Sequence, residues 1–211
     1  MKRIKKLMLL AALLLAGTAQ ATYLPVGVQT NVSVSTVNGW GWTQCYSDSG
    51  NVVASLSSIL GSCSGNYLML ADIVPGSNSF SVLAAAARAD VLFDTGVQSG
   101  YGSDVTHTAN GAEWYFSNNW SWGFAELGAK VELYSCDINL YYSSSKGSCW
   151  HTNSAMLTYG WGYNDGSFHY GGTRVILMAD SIDGNVPEPG TLALVALGVL
   201  AVAGVRSRKP V

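Results

Sequence analysis

The side chains in this sequence best suited to chemistry are aromatic. All 23 Phe, Trp and Tyr residues lie between Tyr23 and Tyr170, and two pairs share a Trp-x-Trp spacing: Trp40 with Trp42, and Trp120 with Trp122. On a strand, that spacing turns both rings to one face. Such a face suits a sugar, because the apolar side of a pyranose stacks on an indole while neighbouring amides and carboxylates bond its hydroxyls. Gln44, Asp48, Asn118 and Asn119 are near enough in sequence to serve. The competing use of the tryptophans is a hydrophobic core, since Trp is highly buried on average. Those four residues are nevertheless the carbohydrate-binding candidates that the sequence offers.

Acid, base and metal chemistry find less support. Glycoside hydrolysis needs two carboxylates facing across a cleft. Glu113, Glu126 and Glu132 are available, but nothing in their spacing separates them from solvated strand positions. Asp48-Ser49-Gly50 and Asp94-Thr95-Gly96 match the triplet of aspartic proteases. They stand too close together for two catalytic lobes, and Asp-x-Gly is ordinary turn chemistry. His107, His151 and His169 show no ligand spacing and no nucleophile context. There is no Cys-x-x-Cys, so zinc held by cysteine is disfavoured, and no metal ligand is assigned. Calcium is the cation compatible with Asp104, Asn110, Asn164 and Asp165 in Gly/Ser-rich loops, although no loop has an established calcium spacing. No catalytic residue and no cofactor follow from these patterns, which favour a binding or structural protein over an enzyme. A secreted carbohydrate-active hydrolase is the alternative.

The elements that would carry these residues are mostly strands. Val26, Val28, Thr30, Val32 and Val34 alternate with small or polar residues, which predicts a half-buried strand. Further strands are expected at Tyr67 to Val74, Phe80 to Ala85, Val91 to Phe93, Glu113 to Phe116, Val131 to Ser135, Met156 to Tyr163 and Thr173 to Met178. Gly, Ser, Asn and Asp clusters separate them. Asn51 to Leu60 reads instead as a short helix, with Val53, Leu56 and Leu60 at helical spacing and Gly61 as its stop. Ala84 to Ala89 is ambiguous between helix and strand. Many short strands without long intervening helices predict an all-β fold, an antiparallel β-sandwich with one short helix, for which a jelly-roll topology is compatible.

Four cysteines, Cys45, Cys63, Cys136 and Cys149, lie in this part of the chain. Outside the cytoplasm they would be oxidised, and of three pairings the local one joins Cys45 to Cys63 and Cys136 to Cys149. Residues 22–187 carry four basic and twelve acidic residues, a formal net charge of −8. That balance argues against nucleic-acid binding.

The two ends supply the address. Lys2, Arg3, Lys5 and Lys6 precede an apolar run from Leu7 to Gly17, and Ala19-Gln20-Ala21 offers a small-x-small cleavage site. The run is well short of the about 20 residues that a span needs, so residues 1–21 read as a secretory signal peptide. At the other end, Val186-Pro187-Glu188-Pro189-Gly190-Thr191 leads into an uncharged run from Leu192 to Val205, and then into Arg206-Ser207-Arg208-Lys209. The run is apolar on every face, and the basic cluster behind it would stay cytoplasmic. A breaker, an apolar transmembrane helix and a basic stop in this order resemble the PEP-CTERM sorting signal of Gram-negative bacteria, with Pro187, Glu188 and Pro189 at the motif positions.

The resemblance implies recognition by an exosortase-type membrane protease and a transient stay in the inner membrane. It also implies delivery to the cell surface or extracellular matrix in company with exopolysaccharide. A permanent anchor is the alternative for the same helix. The expected organisation is therefore a signal peptide at 1–21, a secreted disulfide-bonded domain at 22–185 and a sorting signal at 186–211. The expected role is a structural or polysaccharide-binding component of a biofilm matrix.

Overall fold

The computed structural model describes residues 22–97, 105–129, 131–132, 137–138, 146–164, 167–170 and 172–182. Among these residues the strands form two antiparallel sheets packed face to face. One sheet has the order β1 (Gln29–Ser33), β5 (Ser79–Ala87), β4 (Tyr67–Ile73), β14 (Thr173–Ala179) and β2 (Thr43–Ser49). The other runs β13 (Ser167–Tyr170), β12 (Met156–Asn164), β11 (Gly147–Asn153), β8 (Ser121–Glu126), β7 (Ala112–Phe116) and β6 (His107–Ala109), and β3 (Ala54–Ser55) also pairs with β12. A separate ribbon joins β9 (Val131–Glu132) to β10 (Asp137–Ile138). The architecture is the antiparallel sandwich expected. In the second sheet the described strands follow one another as a meander, whereas a jelly roll would interleave them between sheets.

The core between the sheets pairs large residues with small ones. The second sheet contributes Trp114, Phe116, Trp122, Phe124 and Trp150. Against them the first sheet sets Leu68, Leu70, Val82, Ala84, Ala86 and Ile176. Trp122 meets Trp150 edge to face at 5.4 Å and Phe116 at 5.6 Å, geometries that suit the ring quadrupoles. Two glycines make room for rings on the two faces of the second sheet, Gly160 for Trp150 on the inner face and Gly123 for Tyr115 on the outer one. A Cβ at Gly160 would fall onto the Cys149 carbonyl oxygen and lie 2.5 Å from the Trp150 ring, and one at Gly123 would strike the Ser148 carbonyl and the Tyr115 hydroxyl.

The alanine run resolves as both structures in succession. β5 continues to Ala87, which pairs with Tyr67, the first residue of β4. The Arg88 N–H still donates to the Asn66 carbonyl at 2.8 Å, and from there the chain turns into α3 (Arg88–Val91). The strand expected at Val91 to Phe93 is therefore not formed: Val91 closes the helix and Phe93 is exposed. The Arg88 side chain reaches back to the carbonyls of Cys63 and Leu60.

Two other expectations shift in the same way. The strand expected from Val26 forms only as β1, because Ser33 caps a helix, α1 (Val34–Gly39), by accepting from the Thr36 N–H at 3.0 Å. Burial of Val37 offsets the poor helix propensity of the β-branched residues there. The expected helix at Asn51 to Leu60 starts later, as α2 (Leu56–Ser62), because Ala54 and Ser55 pair with Leu157 and Met156. Val53 is exposed, Gly61 lies inside the helix, and Cys63 forms its C-cap. Cys63 is joined to Cys45 in the disulfide expected.

Each sheet also has an outer face. On the first, Met69, Ala71, Leu83, Ala85, Val175 and Leu177 form a second apolar cluster, closed over by Val37 and Trp42 with Leu24 and Trp40 against it. On the second, Tyr115, Ala125, Val131 and Cys149 form a smaller cluster, with Trp120 packed at its edge.

Candidate functional site

The four candidate tryptophans do not share a surface. Trp122, on β8, is fully buried between the sheets. Trp120 precedes β8 in a turn, so strand alternation does not govern it, and its ring packs on the opposite side of the sheet from Trp122. Trp40 and Trp42 flank the turn between α1 and β2. Trp42 is 3% exposed and donates from Nε1 to the Tyr23 carbonyl at 2.8 Å. Trp40 is half-buried and meets Tyr23 edge to face at 5.2 Å.

Trp120 borders an open cavity. Its backbone N–H donates to Thr152 Oγ1 at 2.8 Å, and the Thr152 N–H donates to the Trp120 carbonyl at 3.0 Å. These bonds tie the turn before β8 to the end of β11. The hairpin between β11 and β12 turns through Ser154 and Ala155, both in the left-handed region at φ 48° and 61°. Such a turn normally takes Asn-Gly. Here Asn119 Oδ1 accepts from the Ser154 N–H at 3.0 Å and the Asn118 carbonyl from the Ala155 N–H at 2.8 Å, which holds the turn.

The hairpin carries His151 and Tyr159, whose rings meet edge to face at 5.3 Å. With Trp120 and Val97 they line a surface cavity of about 360 Å³ whose remaining lining is Asn119, Thr152, Asn153 and Thr158. Tyr159 is 59% exposed. Burial pushes the His151 imidazole below its ordinary value, so the ring is neutral at neutral pH. Two flat apolar surfaces, a neutral histidine, two amides and the Thr158 hydroxyl can stack a ring and exchange hydrogen bonds with it, while the Thr152 hydroxyl is spent on Ser117 and Trp120. A second cavity of about 230 Å³, bordered by Thr22, Gly41, Thr43 and Asp180, has no aromatic ring in its lining. His151 and Tyr159 were not among the sequence candidates, because only the β11–β12 register brings them to Trp120.

The remaining chemically able groups are engaged elsewhere. Asp72, buried between the sheets, accepts from Ser148 Oγ. Burial pushes its carboxyl up to about 6, against the opposing pull of Ser148, the Trp150 indole and Arg174. Arg174 is directly across the sheet from Asp72 and fully buried, and its Nη2 donates to the carbonyls of Val52 and Ser49. Burial also lowers the Arg174 pKa, opposed by Tyr46, Asp72 and Asp48.

Glu113 behaves in the opposite sense. Desolvation favours its neutral form but is outweighed by the Gly128 N–H at 3.0 Å, the Thr108 and Thr106 hydroxyls at 2.8 and 2.9 Å, and His107, so its pKa is lowered. Glu126 lies across from Ala112 at the next register position, so its side chain takes the other face of the sheet from that of Glu113. These two cannot face each other across a cleft as a hydrolytic pair. His107 Nε2 lies 2.8 Å from Asp90 Oδ1, and its ring is stacked on Phe93 at 4.3 Å.

The two Asp triplets differ: Asp48 and Ser49 end β2, paired with Arg174 and Thr173, with Asp48 Oδ1 accepting from the Ser49 N–H, whereas Asp94 Oδ1 accepts from the Gly96 N–H in a local turn. Asn110 donates to the Pro25 and Ala85 carbonyls. Among the described residues no three His, Cys, Asp or Glu side chains gather as a metal site. Asp104, Asp165, Cys136 and the side chains of Glu132, Asn164 and His169 lie outside the described residues, and Cys149 is itself in a disulfide.

Fold and site together define a disulfide-bonded antiparallel β-sandwich with an aromatic cavity on one outer face, uncharged among the described residues that line it. The chain carries the PEP-CTERM protein-sorting motif, matched over residues 185–209, which include Pro187, Glu188 and Pro189. The motif marks an exported protein, processed by exosortase, a membrane protein, and sorted at the membrane to the cell surface. No curated protein and no solved structure matches the chain. Among the described residues no helix is long and apolar enough to cross a membrane. The expected signal peptide and sorting helix lie outside them.

Proposed function

We propose that this protein is a polysaccharide-binding component of the exopolysaccharide matrix at the cell surface, and that it binds glycan in the cavity bordered by Trp120, His151 and Tyr159. The mature chain runs from Thr22 to the Pro187–Pro189 region, with the signal peptide and the sorting helix removed during export. The observation that carries the reading is the convergence of Trp120 and Tyr159 on one cavity whose other contacts are amides, hydroxyls and a neutral imidazole. Small-molecule sites have this make-up, apolar surfaces with a few placed polar groups. Destination supports it too, since a chain sorted to the surface with matrix machinery meets glycan at high local concentration, where weak sites acting together suffice.

The test is retention of the purified protein on exopolysaccharide from its host. Tyr159→Ala removes a mostly exposed ring and is the informative variant, while Trp120→Ala also strips the edge of the cluster around Tyr115. We expect Tyr159→Ala to melt like the parent and to lose retention. Equal retention by parent and variant would sink the reading.

A further inference from the structure

The charge distribution around the cavity narrows its ligand. Among the described lining residues there is no Lys, Arg, Asp or Glu. The titratable groups among those described residues are His151, which burial keeps neutral at neutral pH, and the phenol of Tyr159. The exposed Asn153 amide both donates and accepts; Asn119 Oδ1 takes the Ser154 N–H and leaves its Nδ2 to donate, Thr158 Oγ1 gives its proton to the His151 carbonyl and is left to accept, and the buried Thr152 hydroxyl is spent on Ser117 and Trp120. This mix of donors and acceptors matches sugar hydroxyls, which do both. It does not match a carboxylate or sulfate, which only accepts and is ordinarily held by a guanidinium or ammonium.

The surroundings add to this. The region from residue 22 to 187 has a formal net charge of −8, and two of its four basic residues, Arg88 and Arg174, are occupied with backbone carbonyls. A polyanionic glycan approaching this domain meets like charge, with no cation among the described lining residues to offset it.

We infer that the Trp120–His151–Tyr159 cavity selects uncharged hexose residues and rejects uronate or sulfated ones. This rests on the reading of the cavity as a glycan site and names its ligand class. Aromatic stacking and neutral hydrogen bonds carry the recognition, so binding is insensitive to salt, unlike the capture of an acidic polymer by surface cations. A single ring contributes modestly, so each site is weak and retention depends on the repeated residues of a polymer.

Affinity electrophoresis of the purified protein against dextran, mannan and galactan, beside polygalacturonate and dextran sulfate, tests the assignment. The expected result is retardation by at least one neutral polymer, unchanged at high salt and about fivefold weaker in Tyr159→Ala. Asn153→Ala, at an exposed position on the rim, serves as a second variant and should weaken the same interaction, with thermal melts showing both variants folded. Retardation by an acidic polymer that depends on Tyr159 would overturn the ligand class while leaving a glycan site in place. No Tyr159-dependent retardation by any polymer would overturn both the class and the glycan reading beneath it.

Discussion

The two outer faces of the sandwich are furnished alike and finished differently. Each carries apolar side chains on its strands and a tryptophan from the loop that enters the sheet. Over the five-stranded sheet the chain lays Leu24, α1 and the turn that follows it, so that Val37 and Trp42 become core and Trp40 is packed against Tyr23. Over the meander sheet the corresponding ring, Trp120, is held at the margin of a small cluster and opens onto the cavity with Tyr159. Aromatic content therefore does not distinguish a binding face from a closed one. The covering segment does, because it decides whether a ring has protein or solvent on its second side. The same difference explains why a Trp-x-Trp spacing says little unless both residues are on a strand.

The largest way to break this comparison is to attack the layer that both faces share. Trp122 is wholly buried and packs on Trp150 and Phe116. Trp122→Ala is expected to cost about 3 to 5 kcal/mol, read from urea denaturation. A loss well under that would mean that the inner face tolerates a cavity and that Trp122 is a poor reference for the outer rings.

A pair of carboxylates sharpens the contrast next. Asp72 belongs to the sheet with the closed outer face and Glu113 to the sheet with the open one, and they are displaced in opposite directions. Asp72 is faced by Ser148 and Trp150 from β11 and by Arg174 from β14, with Tyr46 and Asp48 of β2 acting on Arg174. With its carboxyl raised to about 6, the folded protein holds a proton that the unfolded chain releases near its ordinary value of about 4. Stability from this group therefore falls as pH rises between about 4 and 6 and stays low above, by about 3 kcal/mol in all. Glu113 adds stability at neutral pH, and that stability is lost as pH falls through its depressed pKa. Denaturation midpoints across this range should show the decline in the parent and its absence in Asp72→Asn. An unchanged slope in Asp72→Asn would assign the decline to another group.

How much of this was legible in the sequence depended on what each strand faces. β4, β5 and β14 are continuous apolar runs because both faces of their sheet are covered, and they were expected nearly as they form. β8 and β11 read Ser-Trp-Gly-Phe-Ala-Glu and Gly-Ser-Cys-Trp-His-Thr-Asn, where Gly and Ser look like breakers. Gly123 is instead required by the Tyr115 ring that crosses it. The Ser154–Ala155 turn lacks Asn-Gly and gave no hairpin signal, so nothing placed His151 beside Tyr159. The spacing of Trp120 to Trp122 suggests a shared face, although the turn that carries Trp120 sends the two rings to opposite sides of the sheet. The local disulfide was legible because only loop length and compartment enter it. The cavity was not, because it depends on register.

The smallest expected effects test the comparison most directly, because they pit one outer ring against the other. Trp40 is half-buried and packs on the closed cluster, so Trp40→Ala should cost about 1 to 2 kcal/mol, a part of the value for a fully buried large side chain. Tyr159 has more than half of its surface in solvent, so Tyr159→Ala should stay within about 0.5 kcal/mol. Both are truncations of a large aromatic ring at a sheet surface, and they differ chiefly in burial. Measured side by side by urea denaturation, a clear cost for Trp40 and almost none for Tyr159 means that the first ring is held for stability while the second is free to serve a ligand. If the order is reversed, Tyr159 is structural despite its exposure, the meander face is closed in effect as well, and a cavity that depends on that ring loses its claim to be a site.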